Sequence, residues 1–121
     1  MIQFHISDRC GTQPARNGYI LNWRKGRPCS ARDLIRERVQ HEFETLSRVS
    51  FAHPIERHLV QYPRRSGCSL RDAVSLALMA FEGEVFFLLV DGRQITDMDE
   101  PFVLSQSSEV TFLRLLPKLA A

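Results

Sequence analysis

Val85-Phe86-Phe87-Leu88-Leu89-Val90, closed by Asp91-Gly92, is the feature that most restricts this chain. An apolar run followed by a two-residue turn signal reads as a strand, and a strand with no polar side needs cover on both faces. No uninterrupted apolar stretch in the sequence exceeds its six residues, far short of the roughly 20 residues of a membrane helix. The amino terminus, Met-Ile-Gln-Phe-His, has no basic-then-apolar leader pattern. Together these features predict a cytoplasmic protein that does not enter the membrane.

Strands occupy both ends of the sequence and helices the middle. Ile2, Phe4 and Ile6 alternate with Gln3, His5 and Ser7, the period of a half-buried strand. A polar stretch from Asp8 to Gly18 leads to a second strand, Tyr19 to Trp23, which should pair antiparallel with the first across a long connection. Ser30-x-x-Asp33 is close to a capping box. Behind it Ile35, Val39, Phe43 and Leu46 form one stripe of a helix over about 31–48, with Arg32, Arg36, Glu37, Arg38 and Glu42 mostly away from the stripe. Ser69-x-x-Asp72 repeats the start signal, and Ala73, Ala77, Leu78 and Phe81 predict a second helix over roughly 70–82 ended by Gly83. Gln94-Ile95-Thr96 then starts a return strand, Phe102-Val103-Leu104 adds a short piece, and Glu109 to Leu116 is the last strand, stopped by Pro117.

This segregation points to the α+β class, a mixed sheet packed on an amphipathic helix, within a single domain of 121 residues. Ile2, Phe4, Ile35, Val39, Phe43, Val110 and Phe112 should share the core. Residues 49–82, particularly the helix around Leu78 and Phe81, should shield part of the other face of Val85–Val90 or a neighbouring edge; alternatively, that face is a partner site. Residues 49–68, broken by Pro54, Pro63 and Gly67, carry no clear period.

Charge and motif content disfavour the common catalytic classes. Sixteen basic against fourteen acidic residues leave +2, too little to imply a nucleic-acid or membrane partner. Cys10, Cys29 and Cys68 are odd in number and lack a Cys-x-x-Cys pair, so neither a disulfide framework nor a zinc ribbon is suggested. Of the histidines His5, His41, His53 and His58, the last two are five apart and do not share a helical face, a weak metal site. Cys68 with one of them is an equally weak nucleophile pair. Asp91, Asp97, Asp99 and Glu100 crowd a turn without the spacing of a calcium loop and read as a solvated rim. No nucleophile elbow, phosphate-cradling loop or dinucleotide fingerprint occurs. Neither an enzyme nor a cofactor is expected, and no metal.

The carboxyl-terminal third carries a resemblance. Val90-Asp91-Gly92-Arg93-Gln94-Ile95, through Glu109-Val110-Thr111-Phe112-Leu113-Arg114-Leu115-Leu116-Pro117 to Ala120-Ala121, resembles the ubiquitin-like β-grasp family. It looks closest to the sulfur carriers of molybdopterin and thiamine synthesis and to bacterial ubiquitin-like modifiers. The resemblance covers residues 85–121, and the strand-strand-helix order of 1–48 agrees with it in topology. It implies one ubiquitin-like domain over 1–121, with 49–68 an insertion and 117–121 a flexible tail. In that family the reacting group is the C-terminal carboxylate, which an adenylating enzyme activates with ATP before a cysteine or sulfur donor displaces AMP. The family ends in two glycines, where this sequence has Ala120-Ala121.

By that resemblance the chain is a protein modifier, adenylated by an activating enzyme and transferred to lysines of target proteins. The setting implied is a bacterial conjugation system, with a conjugating enzyme and an isopeptidase, of the kind associated with phage defence. A sulfur carrier holding a C-terminal thiocarboxylate is the near alternative, and a non-covalent β-grasp binding module the more distant one. Lys118, Leu119, Ala120 and Ala121 would form the activation tail. Leu113 and Leu115, which point outward if Val110 and Phe112 point inward, would dock the activating enzyme.

Overall fold

The computed structural model describes residues 1–46, Leu59 and 69–114. Strands β1 (Ile2–Cys10) and β2 (Arg16–Trp23) are followed by helices α1 (Ala31–Leu46) and α2 (Leu70–Glu82), then by β3 (Phe87–Val90), β4 (Arg93–Ile95) and β5 (Glu109–Arg114). The strands form one sheet in the order β2-β1-β5-β3-β4. β5 lies parallel to β1, and every other neighbouring pair is antiparallel. The class is α+β with a mixed sheet, as the segregation of strands and helices predicts. Phe102 contributes only an isolated bridge to Cys29, not a strand. No helix among the described residues is long and apolar enough to cross a membrane.

One face of the sheet carries the core. Pleating sends Ile2, Phe4 and Ile6 of β1, Val110 and Phe112 of β5, and Leu88 and Val90 of β3 to the same side. There they meet Leu34, Ile35 and Val39 of α1 and Ala73, Ala77 and Phe81 of α2. Phe43 packs against this cluster from its margin and is only half-buried. The rings of Phe81 and Phe86 lie 6.0 Å apart and those of Phe86 and Phe112 5.9 Å, both tilted, an arrangement aromatic pairs favour. That chain of rings puts α2 on the same side of the sheet as α1. The expected shielding of the second face of Val85–Val90 by this helix is therefore not found. Instead the run alternates: Phe86, Leu88 and Val90 are buried, Val85 is 57% exposed, and Phe87 and Leu89 are half-buried.

The amino-terminal hairpin is longer than its composition suggests. β1 runs to Cys10 and β2 begins at Arg16, so the connection is 11–15 and not the whole polar stretch from Asp8 to Gly18. Asp8 belongs to the strand because its carboxylate is matched from the core side. Arg38 Nε and Nη2 donate to its two oxygens at 3.2 and 2.7 Å, while Arg38 Nη1 donates to Glu42 Oε2 at 2.8 Å. Glu42 Oε2 also accepts the Leu59 amide at 3.2 Å. Arg38 and Glu42, expected off the buried stripe, thus point inward. Beside them the His41 ring stacks on Tyr19, centroids 3.6 Å apart and 6° from parallel.

Burial, reinforced by the Arg38 charge, holds the His41 imidazole below its usual value of 6.5. The fold therefore favours neutral His41. The stability this contributes is present above the unfolded value and is lost as pH falls through the lower folded one. Thermal melts should show the wild type losing ground to His41→Gln as pH drops below about 6.5; a constant difference between the two across that range would contradict the assignment.

Local signals fix the element ends. In α1 the Ser30 and Asp33 pair is reciprocal: the Asp33 amide donates to Ser30 Oγ at 3.3 Å and the Ser30 amide to Asp33 Oδ2 at 3.1 Å. α2 is capped by Ser69 Oγ, which accepts the Asp72 amide at 3.1 Å. Its far end closes with Val85 N donating to Ala80 O and Glu84 N to Phe81 O, a Schellman arrangement. The left-handed residue of that cap is Glu84 (φ 58), not Gly83 (φ −84). Glycine is one position too early. Glu84→Gly should accordingly raise stability by about 1 kcal/mol in urea unfolding, since a Cβ disfavours this region by that order; a neutral or destabilising result would contradict the cap. Asp91 (φ 52) and Gly92 (φ 80) turn β3 into β4 as a two-residue hairpin with positive φ at both positions.

Candidate functional site

Two places gather chemistry-bearing side chains. The first is the buried tie of Asp8, Arg38 and Glu42, whose side chains are 5%, 3% and 2% exposed. Burial works against the guanidinium's charge, but Asp8 and then Glu42 outweigh it and hold Arg38 above its usual range. The Tyr19 hydroxyl is buried nearby without a hydrogen-bond partner among the described residues, and its titration is pushed upward, chiefly by burial. So little of this cluster reaches the surface that it presents nothing to a solute. It is structural.

The second is the sheet face turned away from the helices. The register places Leu113 of β5 between Arg9 of β1 and Phe87 of β3, and Thr111 between Ser7 and Leu89. Val110 and Phe112 are each 1% exposed on the core side, so period two leaves Thr111 and Leu113 outward, where both are half-buried. The face divides in two. Phe87, Leu89 and Leu113 form an apolar strip over β3 and β5. Over β1 lies a polar hollow of about 340 Å³, lined by His5, Ser7, Arg9, Glu109 and Thr111, with Ala15 and Gly18 at its side. Arg9 Nε donates to the Gln13 carbonyl at 3.3 Å, which fixes the guanidinium at that end.

Leu113 immediately precedes Arg114, the last described residue. The apolar strip therefore lies at the end of the sheet from which the chain leads on toward 115–121. Leu115 and the expected tail residues Lys118, Leu119, Ala120 and Ala121 lie outside the described residues, as does 49–68 apart from Leu59. Phe87 and Leu89, which sequence patterning does not single out, join Leu113 on this face. Their signal is nonetheless present: they are the alternate positions of a strand whose other side is filled by Phe86, Leu88 and Val90.

Other candidates are occupied or set apart. Asp91 Oδ1 accepts the Glu109 amide at 2.8 Å, Asp97 accepts the Asp99 amide at 2.9 Å, and Asp99 pairs with Arg32 at 2.8 Å. The Arg32 hydrogen bond holds the Asp99 carboxyl below its usual range. The acidic rim is thus a set of turn and helix-edge contacts. Among the described residues no group of three or more His, Cys, Asp or Glu could hold a metal ion. Burial, with the Asp33 charge beside it, pushes the Cys29 thiol up to about 12, which keeps it protonated and inert. His53, His58 and Cys68 lie outside the described residues. Comparison of the chain with family models, with curated proteins and with solved structures finds no match.

Proposed function

We propose that this chain is a ubiquitin-like modifier of β-grasp fold that reacts through its C-terminal carboxylate. The observation that carries the reading is connectivity. An antiparallel hairpin leads into a helix across one sheet face, and the last strand enters the centre of the sheet parallel to the first, in the order β2-β1-β5-β3-β4. That is the order expected of a β-grasp; α2, and the segment before it, are additions to it. Such a fold needs no catalytic side chain of its own, because its central strand serves to present the C-terminal tail.

In this reading the strip of Phe87, Leu89 and Leu113 seats the activating enzyme, burying apolar surface that would otherwise stay half-exposed. Lys118, Leu119, Ala120 and Ala121 then extend into the nucleotide site. A carboxylate oxygen attacks the α-phosphorus of ATP and pyrophosphate leaves. An enzyme thiolate next attacks the acyl carbon and AMP leaves. A target lysine amine finally displaces the thiolate, forming an isopeptide bond. The two alanine methyls at 120–121 set the bore the channel must have.

ATP–pyrophosphate exchange with adenylating enzymes of the source organism tests the reading. Exchange should depend on the tail, rise when 120–121 are both glycine, and fall about tenfold, equivalent to roughly 1.4 kcal/mol, in Leu113→Asp with an unchanged melting curve. No exchange with either tail sinks the proposal and leaves a non-covalent binding module.

A further inference from the structure

We propose that the turn joining β2 to α1 is a docking point for an acidic segment of a partner protein. Arg24, Lys25 and Arg27 place three cations within four residues, all exposed. The Arg27 amide donates to the Arg24 carbonyl at 3.0 Å and Gly26 takes φ 78, the left-handed third position of a tight turn. Trp23, 4% exposed, donates Nε1 to the Arg27 carbonyl at 3.0 Å and carries the Arg27 guanidinium over its ring, 4.3 Å from the centroid. The turn is therefore held by a backbone closure, an indole hydrogen bond and a cation–π contact.

Like charges gathered this closely repel, and the fold nonetheless closes the backbone that carries them and holds the Arg27 side chain on Trp23. Among the described residues, the acids nearest on α1 are Asp33, which is committed to Ser30, and the half-buried Glu37. Glu37 feels the Arg27 charge, but neither acid comes close enough to form an ion pair with the turn. Donors already ordered lose less freedom on binding an anion, and a guanidinium is suited to a carboxylate. A protein partner fits better than a nucleic acid. Trp23 is too buried to stack on a base, and three charges in one turn, on a chain of net charge +2, make no stripe along a phosphate backbone.

The turn also lies away from the Leu113 strip. Ile2 pairs with Trp23 at one end of β1, whereas Cys10 pairs with Arg114 at the other. Leu113 pairs with Arg9, seven residues along β1 from Ile2, so the strand separates the two by about 23 Å. Both surfaces can be occupied together, and docking at the turn is independent of the C-terminal chemistry.

The test is a titration of isotope-labelled protein with a short Glu-rich peptide, monitored by amide shifts. Shifts should concentrate on residues 23–27 and shrink with added salt. The double variant Arg24→Glu, Lys25→Glu should bind about tenfold more weakly while melting like the wild type. Arg27→Lys, which keeps the charge and loses the flat group on Trp23, should weaken binding as well. Shifts spread over the surface or centred elsewhere, wild-type affinity in either variant, or tighter binding of a single-stranded oligonucleotide than of the peptide would overturn the proposal.

Discussion

Arg38→Leu should lower the stability of this protein by about 3–5 kcal/mol, read from the midpoint of urea unfolding. The loss comes less from the guanidinium than from what it leaves behind. Asp8 and Glu42 would remain as two buried carboxylates that have lost the guanidinium joining them and keep only their other contacts, the Leu59 amide on Glu42 among them. Replacing all three at once, as Asp8→Leu, Arg38→Met and Glu42→Leu, should recover most of the loss, because a well-packed apolar trio needs no compensating charge. An Arg38→Leu protein within 1 kcal/mol of wild type would show that the cluster is not the buried tie described.

Phe112→Ala should cost about 3–5 kcal/mol. Phe112 is 1% exposed, lies on the core face of the central strand, and packs against Phe86 across to Phe81 of α2. The same truncation at Phe43 should cost less than half as much, since that ring is only half-buried. The comparison is sharper than either value alone. Equal losses at the two positions would contradict the placement of the core between β5 and both helices.

Much of this architecture is legible in the sequence, for identifiable reasons. Period two at Ile2, Phe4 and Ile6, the two Ser-x-x-Asp starts and the Asp91-Gly92 turn each express a local preference that the tertiary structure does not oppose. Legibility fails where a distant partner changes the meaning of a residue. Asp8 reads as loop because a carboxylate in a buried strand position is costly, and nothing near it in sequence announces Arg38. Arg38 and Glu42 read as solvated helix for the same reason. The side of the sheet taken by α2 depends on Phe81 meeting Phe86, a contact that helical periodicity does not encode. For the candidate face, the outward direction of Leu113 comes from strand period alone, whereas its neighbours Arg9 and Phe87 come from strand order, which only the fold supplies.

The most direct measurement is the covalent fate of the C-terminal residue. The chain, produced in its source cells with an adenylating enzyme of the same organism, should be recovered in part as larger species. Peptide mapping should find its terminal residue joined to lysine side chains of other proteins, with the joined fraction sharply reduced in Leu113→Asp. A terminus carrying sulfur in place of one oxygen would assign the chain to sulfur transfer instead. A terminus recovered only as the free carboxylate, with the Gly-Gly form at 120–121 behaving identically, would contradict the account.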